Sequence, residues 1–218
     1  MCNVSKKIVI IPTYNEIENI EAIINAVLEQ PSKFDILIVD DGSPDGTGNE
    51  VKRLQKINEG RLHLLERSGK SGLGTAYIAG FKWCLGNNYD FILEMDADFS
   101  HPPIKLNELL EKCETGESDV SVGSRYIDGG GVVNWPTSRL ALSKGASLYV
   151  RLFTGMDVKD PTAGFVCYSR KVLEAINLDQ IKFVGYAFQI EMKYASYRLG
   201  FKIKEVPIIF QDRQKGKS

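Results

Sequence analysis

The stretch ILEMDADFSHPP, residues 92 to 103, runs from strand-forming residues into two carboxylates, Asp96 and Asp98, and breaks at His101-Pro102-Pro103. Carboxylates this close repel each other, and each favours its protonated form unless positive charge sits between them. A divalent cation at the end of a β-strand would meet that need. The fold question is then which sheet brings other polar strand ends to the same place.

Working outward, apolar runs of strand length alternate with segments of helical period. Strands are expected at Lys7 to Ile11, Phe34 to Asp40, Leu62 to Glu66, Phe91 to Met95 and Val120 to Gly123. Helices are expected at Ile17 to Glu29, Thr47 to Gln55, Leu73 to Leu85 and Ile104 to Cys113, the first opened by a capping box of Asn15 and Glu18. This βαβα order predicts an α/β fold, a mostly parallel sheet flanked by helices in the Rossmann manner. Ligands of such sheets bind beyond the carboxyl ends of the strands. Pro12 to Glu16, Asp40 to Ser43 and Asp96 to Asp98 all follow strands and are expected to share one rim.

After Ser124, Gly129-Gly130-Gly131 and Trp135-Pro136 predict a long loop of the kind used for lids and binding. A largely helical second half should follow, with helices at Leu140 to Phe153 and Ala187 to Leu199, a turn at Asp160 to Gly164 and a last strand at Lys202 to Phe210. One domain is expected over residues 1 to 218, since single α/β domains of about this size are common.

The chain is 43% hydrophobic and 25% charged, which excludes disordered and fibrous classes. With 27 basic against 28 acidic residues there is no global field to recruit nucleic acid, so an anion site must be local. Cys2, Cys84, Cys113 and Cys167 are widely spaced, as reduced thiols of a cytosolic protein without structural zinc would be. No window approaches the ~20 apolar residues of a membrane span. A soluble chain is expected, one that can still lie against a membrane through a basic or amphipathic surface.

SGKSGLG, residues 68 to 74, contains Gly69-Lys70-Ser71 but is no phosphate loop, because Leu64 stands where the first glycine is needed; a dinucleotide fingerprint fails at Tyr77. It reads as a glycine-rich turn whose helix amides can meet an anion. In IVDDGSPDGT, residues 38 to 47, Ser43 and Asp45 fit turn-shaping and helix-capping as well as binding. Asp40 and Asp41 suit the N–H donors of a base or a ribose hydroxyl, a nucleoside site. Asp96 and Asp98 suit magnesium or manganese shared with a substrate diphosphate. His101 is left outside the site. Asp96 to Ser100 also fits the D-x-D-x-[ST] of phosphatases that form an aspartyl phosphate, but those aspartates follow a first strand, and these follow a fourth.

IIPTYNE, IVDDGSPDGT, GLGTAYIAGF, MDADFSHPP, VGSRY, GYAFQIEM and VPIIFQDR occur here in one order. Together they resemble the large inverting GT-A glycosyltransferase family, and within it the dolichyl- or polyprenyl-phosphate mannosyltransferases, from about Ile8 onward. The resemblance implies a nucleotide-sugar half at about 1 to 124 and an acceptor half at about 125 to 218. Pro12, Tyr14, Glu16, Val39 and Asp41 would line the nucleoside pocket, while Asp96, Ala97 and Asp98 hold Mg2+ or Mn2+ and the diphosphate. Arg125 and Arg213 match arginines that meet phosphate, and Arg139 with Ser143, four residues apart, would meet the acceptor phosphate. Lys144, Ser147 and Arg151 form a neighbouring polar stripe suited to a membrane surface or to solvent.

The activity implied is transfer of mannose from GDP-mannose, with inversion, to dolichyl or polyprenyl phosphate at the cytosolic membrane face. A glucosyltransferase using UDP-glucose and a non-catalytic nucleotide-sugar binding module are the rivals. Gln189 and Glu191 fall in the family's F-Q-x-E segment, and the Q-x-x-R-W of processive synthases is absent, which argues for a single transfer. Val166 stands where many relatives carry arginine, and the chain stops at Lys217-Ser218 where relatives continue, so a truncated C-terminus is expected.

Overall fold

The computed structural model describes residues 5–213 and Lys215. Cys2 and the Lys217-Ser218 end therefore lie outside the described residues. In chain order the elements are β1 (Lys7–Thr13), α1 (Ile20–Leu28), β2 (Asp35–Asp40), α2 (Thr47–Gln55), β3 (Leu62–Glu66), α3 (Leu73–Gly86) and β4 (Phe91–Glu94). A 3-10 turn (Pro103–Lys105) leads to α4 (Leu106–Glu114), β5 (Val120–Ser124), β6 (Gly131–Val133) and α5 (Thr137–Thr154). Then come β7 (Val166–Ser169), α6 (Arg170–Ala175), a second 3-10 turn (Leu178–Gln180), α7 (Ala187–Arg198), β8 (Ile203–Pro207) and β9 (Ile209–Gln211).

Seven strands form one sheet in the order β3-β2-β1-β4-β7-β5-β8. β7 runs antiparallel to both its neighbours, and the other pairings are parallel. Ile8 to Ile11 are fully buried because both faces of the sheet are covered, the mark of a parallel sheet. The period of two divides the core. Val9, Ile11, Ile36, Ile38 and Leu93 pack with α1, α2 and α4. Ile8, Ile10, Leu37, Ile92 and Tyr168 pack with α3, α6 and α7. β2, β1 and β4 are adjacent and parallel, so the polar segments after them do emerge on one rim.

Several expectations are corrected. The second half is mixed rather than largely helical. The short run VCYS forms β7 in the middle of the sheet, and part of the glycine-rich loop is β6, paired with β9. The expected last strand is two, β8 and β9, divided at Ile208. The capping box does not form: α1 starts at Ile20, and Asn15 instead adopts a left-handed conformation (φ 61°) in the turn after β1. Cys84, Cys113 and Cys167 are buried free thiols.

Candidate functional site

The rim is assembled by the turn after β2. Asp40, expected in the nucleoside site, is buried and structural: it accepts from Thr13 Oγ1 (2.9 Å), Ser43 N (3.0 Å) and Ser43 Oγ (2.6 Å). Ser43 Oγ in turn accepts from Asn15 N, Thr47 Oγ1 from Glu16 N, and Asp45 from Ile17 N, each at 3.0 Å. Ser43 and Asp45 thus shape the turn, and in doing so hold the β1–α1 connection against it. Asp41, nearly wholly buried, lines the cleft together with Asp45 and lies 3.0 Å from Arg67 Nη1. Burial raises its pKa, and the Arg67 charge opposes that rise.

A cleft of about 1000 Å³ opens over these strand ends. It brings together Pro12, Tyr14, Glu16 and Asp41 from one side and Asp96, Ala97 and Asp98 from the other, with Arg213 between them. Val39 is not among its walls. The Val39 side chain points into the core layer beneath, wholly buried, because its neighbour Asp40 takes the opposite face of β2.

Asp96 and Asp98 have different surroundings. Asp98 Oδ1 accepts from Ser100 N (3.0 Å) and Oδ2 from Arg213 Nε (3.1 Å). Burial raises its pKa, but the Ser100 hydrogen bonds and Arg213 outweigh that and leave it below the usual carboxylate value. Arg213 also donates to Glu16 Oε1 (2.5 Å), so one guanidinium spans the cleft from the β1 rim to the β4 rim. Asp96 is enclosed by protein on most sides yet keeps its side chain 39% exposed to the cleft, and no described residue donates a hydrogen bond to its carboxylate. Burial and then repulsion from Asp98 raise its pKa, against the attraction of His101 and Arg213.

His101 lies behind the acidic pair, stacked on Phe165 (4.9 Å), with Nδ1 accepting from Asp96 N (3.2 Å). Burial lowers its pKa, and its Nδ1 supports Asp96 through the backbone N–H. Among the described residues no group of three or more His, Cys, Asp and Glu side chains converges. An open carboxylate at Asp96 with Asp98 beside it fits magnesium or manganese, which complete their shells with water and diphosphate oxygens.

Arg125 is expected at the phosphates, but its guanidinium is gripped elsewhere. Nε and Nη2 donate to Asp160 (2.7 Å each), and Nη2 also reaches Thr162 Oγ1 (2.8 Å). It is not among the cleft walls. Arg139 and Ser143 likewise stand off the cleft, on α5. Arg139 stacks on Trp135 (3.9 Å) and donates to Asp212 (2.8 Å), next to Arg213 in sequence; Ser143 Oγ accepts from Tyr126 OH (2.6 Å). Arg125 lies within 5.6 Å of the ring centroids of Tyr126, Trp135 and Phe210. The three residues therefore form a basic and aromatic flank joined to the cleft through Asp212 and Arg213.

Sequence reasoning missed Lys70 and Tyr186, which both line the cleft. Lys70 sits over the Tyr14 ring (4.8 Å), in the SGKSGLG turn whose glycine spacing fits no phosphate loop. It also missed the buried Glu94 and Lys193; a lysine on the inner face of a helix was the available signal.

The glycosyl transferase family 2 model matches residues 8–176. The chain is 46% identical over 98% of its length to the polyprenol monophosphomannose synthase of Mycolicibacterium smegmatis, covering 80% of that protein. It is 46% identical over 96% of its length to the undecaprenyl-phosphate mannosyltransferase of Micrococcus luteus, covering 85% of it. Glucosyl-3-phosphoglycerate synthase from Mycobacterium tuberculosis, solved with Mn2+ and UDP, superimposes with TM-score 0.71 at 19% identity, over 98% of this chain and 73% of that one. The mannosyltransferase PcManGT from Pyrobaculum calidifontis, with GDP-Man and Mn2+, gives 0.65 at 18% identity, over 95% and 56%. The likeness to the two solved structures places the sheet and its rim among GT-A folds, and the family match with the two 46% identical relatives shows that this chain is a glycosyltransferase belonging to glycosyl transferase family 2.

Proposed function

We propose that the chain transfers mannose from GDP-mannose to the phosphate of a polyprenol or dolichol, with inversion, working from the cytosolic face of a membrane. The observation that carries this reading is the cleft. The Asp41 carboxylate and the Tyr14 ring on the cleft wall suit a nucleoside at one end, and the open Asp96 beside Asp98 suits a metal-bound diphosphate at the other. The names of the two relatives with 46% identity support mannose and a polyprenyl phosphate.

When bound, magnesium or manganese supplies Lewis-acid stabilisation to the leaving diphosphate. Asp96 and Asp98 would hold that ion, and Arg213 would offer a guanidinium fork to phosphate oxygens once it exchanges Glu16 and Asp98 for them. A phosphate oxygen of the acceptor bonds to the anomeric carbon as the carbon–oxygen bond to the diphosphate breaks on the opposite face, which inverts the centre. The acceptor arrives anionic and needs no general base. It needs cations, and Arg125 and Arg139 with the Ser143 hydroxyl form the flank from which it would be received. In this reading residues 1 to 124 serve the donor and 125 to 218 the acceptor, within one domain.

α5 supports the membrane part. Its buried residue is Ser147, while Leu142, Tyr149, Leu152 and Phe153 are exposed, an amphipathic helix with its apolar side outward. No helix among the described residues is long and apolar enough to cross a membrane. The test incubates the purified chain with polyprenyl phosphate and Mn2+ or Mg2+, supplying radiolabelled GDP-mannose or UDP-glucose. Mannosyl lipid from GDP-mannose alone is expected. Glucosyl lipid would overturn the donor, and calorimetric nucleotide binding without any lipid product would leave a binding module.

A further inference from the structure

Beneath the acidic end of the cleft lies a second set of charged groups, wholly buried. Glu94 on β4 and Lys193 on α7 are both 0% exposed. Strand register puts Val166 of β7 directly opposite Glu94 on the same face, so the sheet itself offers Glu94 no counter-charge. That charge comes from α7. Burial raises the pKa of Glu94 and lowers that of Lys193, and each charge opposes the other's shift.

A simple ion pair would bring the two into contact, yet among the described residues no approach within 4 Å joins them. The ammonium is instead saturated by three other acceptors: Ala163 O (2.6 Å), Gln189 O (3.1 Å) and Gln189 Oε1 (3.2 Å). Against the burial that raises the Glu94 pKa, the Lys193 charge and then the Gln189 side-chain amide act to lower it. A buried lysine is costly compared with an apolar residue of similar volume, so its retention calls for an account. Its shortest contact points to one.

Ala163 belongs to the turn at residues 160–164, and Ala163 N closes that turn on Asp160 O (3.3 Å). Asp160, also 0% exposed, holds Arg125 through the backbone N (3.0 Å) as well as the guanidinium. A continuous path therefore runs from Lys193 through Ala163 and Asp160 to Arg125.

We propose that Lys193 is a positioning residue that ties the 160–164 turn to helix α7, and so fixes Arg125 on the acceptor side of the cleft. The proposal deepens the transferase reading and rests on it for its kinetic consequence. Lys193 touches no reacting atom. Its effect falls on the acceptor side, because the turn it holds bears Arg125 and not the nucleoside rim.

The test uses Lys193→Met and the charge-balanced Glu94→Gln/Lys193→Met double variant. Lys193→Met should melt roughly 10 °C lower, because it removes the buried donor shared by Ala163 O, Gln189 O and Gln189 Oε1. It should also lose about tenfold or more in kcat/KM for polyprenyl phosphate, mainly through KM. Calorimetric affinity for GDP with Mn2+ should stay within about threefold, roughly 0.7 kcal/mol. In the double variant the buried carboxyl is replaced as well, so melting should recover in part while the acceptor KM stays raised and amide hydrogen exchange at residues 160–164 stays faster than in the wild type. A double variant that regains acceptor KM together with stability, or that exchanges at the wild-type rate in that turn, would overturn the proposal. Absence of any lipid product from the wild type would refute the transferase reading instead, and exchange at 160–164 would still decide whether the tie exists.

Discussion

Asp96 and Asp98 stand two residues apart and answer opposite electrostatics. Asp98 lies below the ordinary carboxylate pKa, so it contributes stability above the unfolded value of about 3.9, and that contribution is lost as pH falls through its lower folded value. Asp96 lies above it, so its ionisation costs stability as pH rises from the unfolded value through the folded one. At neutral pH without divalent metal, Asp96→Asn should therefore raise the melting temperature, and Asp98→Asn should lower it by removing one carboxylate from Arg213, which keeps Glu16. The rise will be small, of the order of 1–2 °C, because solvent screens a side chain that is 39% exposed. Below about pH 3.5 the gain should vanish, since the carboxyl is then protonated in both states. Mn2+ with GDP should raise the melting temperature of the wild type and not that of Asp96→Asn. Equal shifts of one sign from the two variants would contradict this division of roles, and scanning calorimetry reads it directly.

At the scale of elements, α3 begins where the sequence placed it, at Leu73, and its glycines explain how it comes so close to the cleft. A Cβ on Gly74 would stand 2.7 Å from Phe183 O and 2.9 Å from the Phe188 ring, and Gly74 N donates to Val184 O (2.9 Å). Gly74→Ala should cost ~1–3 kcal/mol in urea unfolding, since a backbone carbonyl cannot swing aside as a side chain can. It should also weaken donor binding, because Tyr186, which lines the cleft, follows the displaced segment. Gly69→Ala, with nothing within 4 Å, should stay within ~0.5 kcal/mol and serves as the control. The βα half was legible because its strands are apolar runs separated by helices of clear period. β7 was not, because four residues between a turn and a helix carry no period of their own and are a strand only by insertion between β4 and β5. The same limit applies to the site. Local spacing located Asp96, Asp98 and Asp41, whereas the burial of Val39 and the capture of Arg125 by Asp160, 35 residues away, depend on contacts that sequence distance hides.

For the whole molecule, α5 presents an apolar surface that no described residue covers. Leu142, Tyr149 and Phe153 recur at intervals of seven and four, which places them on one stripe, with Leu152 at its side. Leu142 is 77% and Leu152 74% exposed, so neither contributes to the core, and replacing them should leave folding intact. On the protein side the helix presents Ser143 and Ser147, and Arg139 leads from its first turn to Asp212 and the cleft. An acceptor headgroup entering along this helix would pass from the apolar stripe to the basic flank, which suits a lipid drawn from a bilayer. Fully burying a leucine contributes about 1.5–3 kcal/mol, so Leu142→Ser/Leu152→Ser should weaken binding to vesicles containing polyprenyl phosphate by about tenfold or more. Transfer to a short, water-soluble isoprenyl phosphate should be unchanged, because the cleft and its cations are untouched. Vesicle co-sedimentation and turnover with the soluble acceptor separate the two: loss of both would place these leucines in the site or the fold, and loss of neither would remove α5 from the membrane.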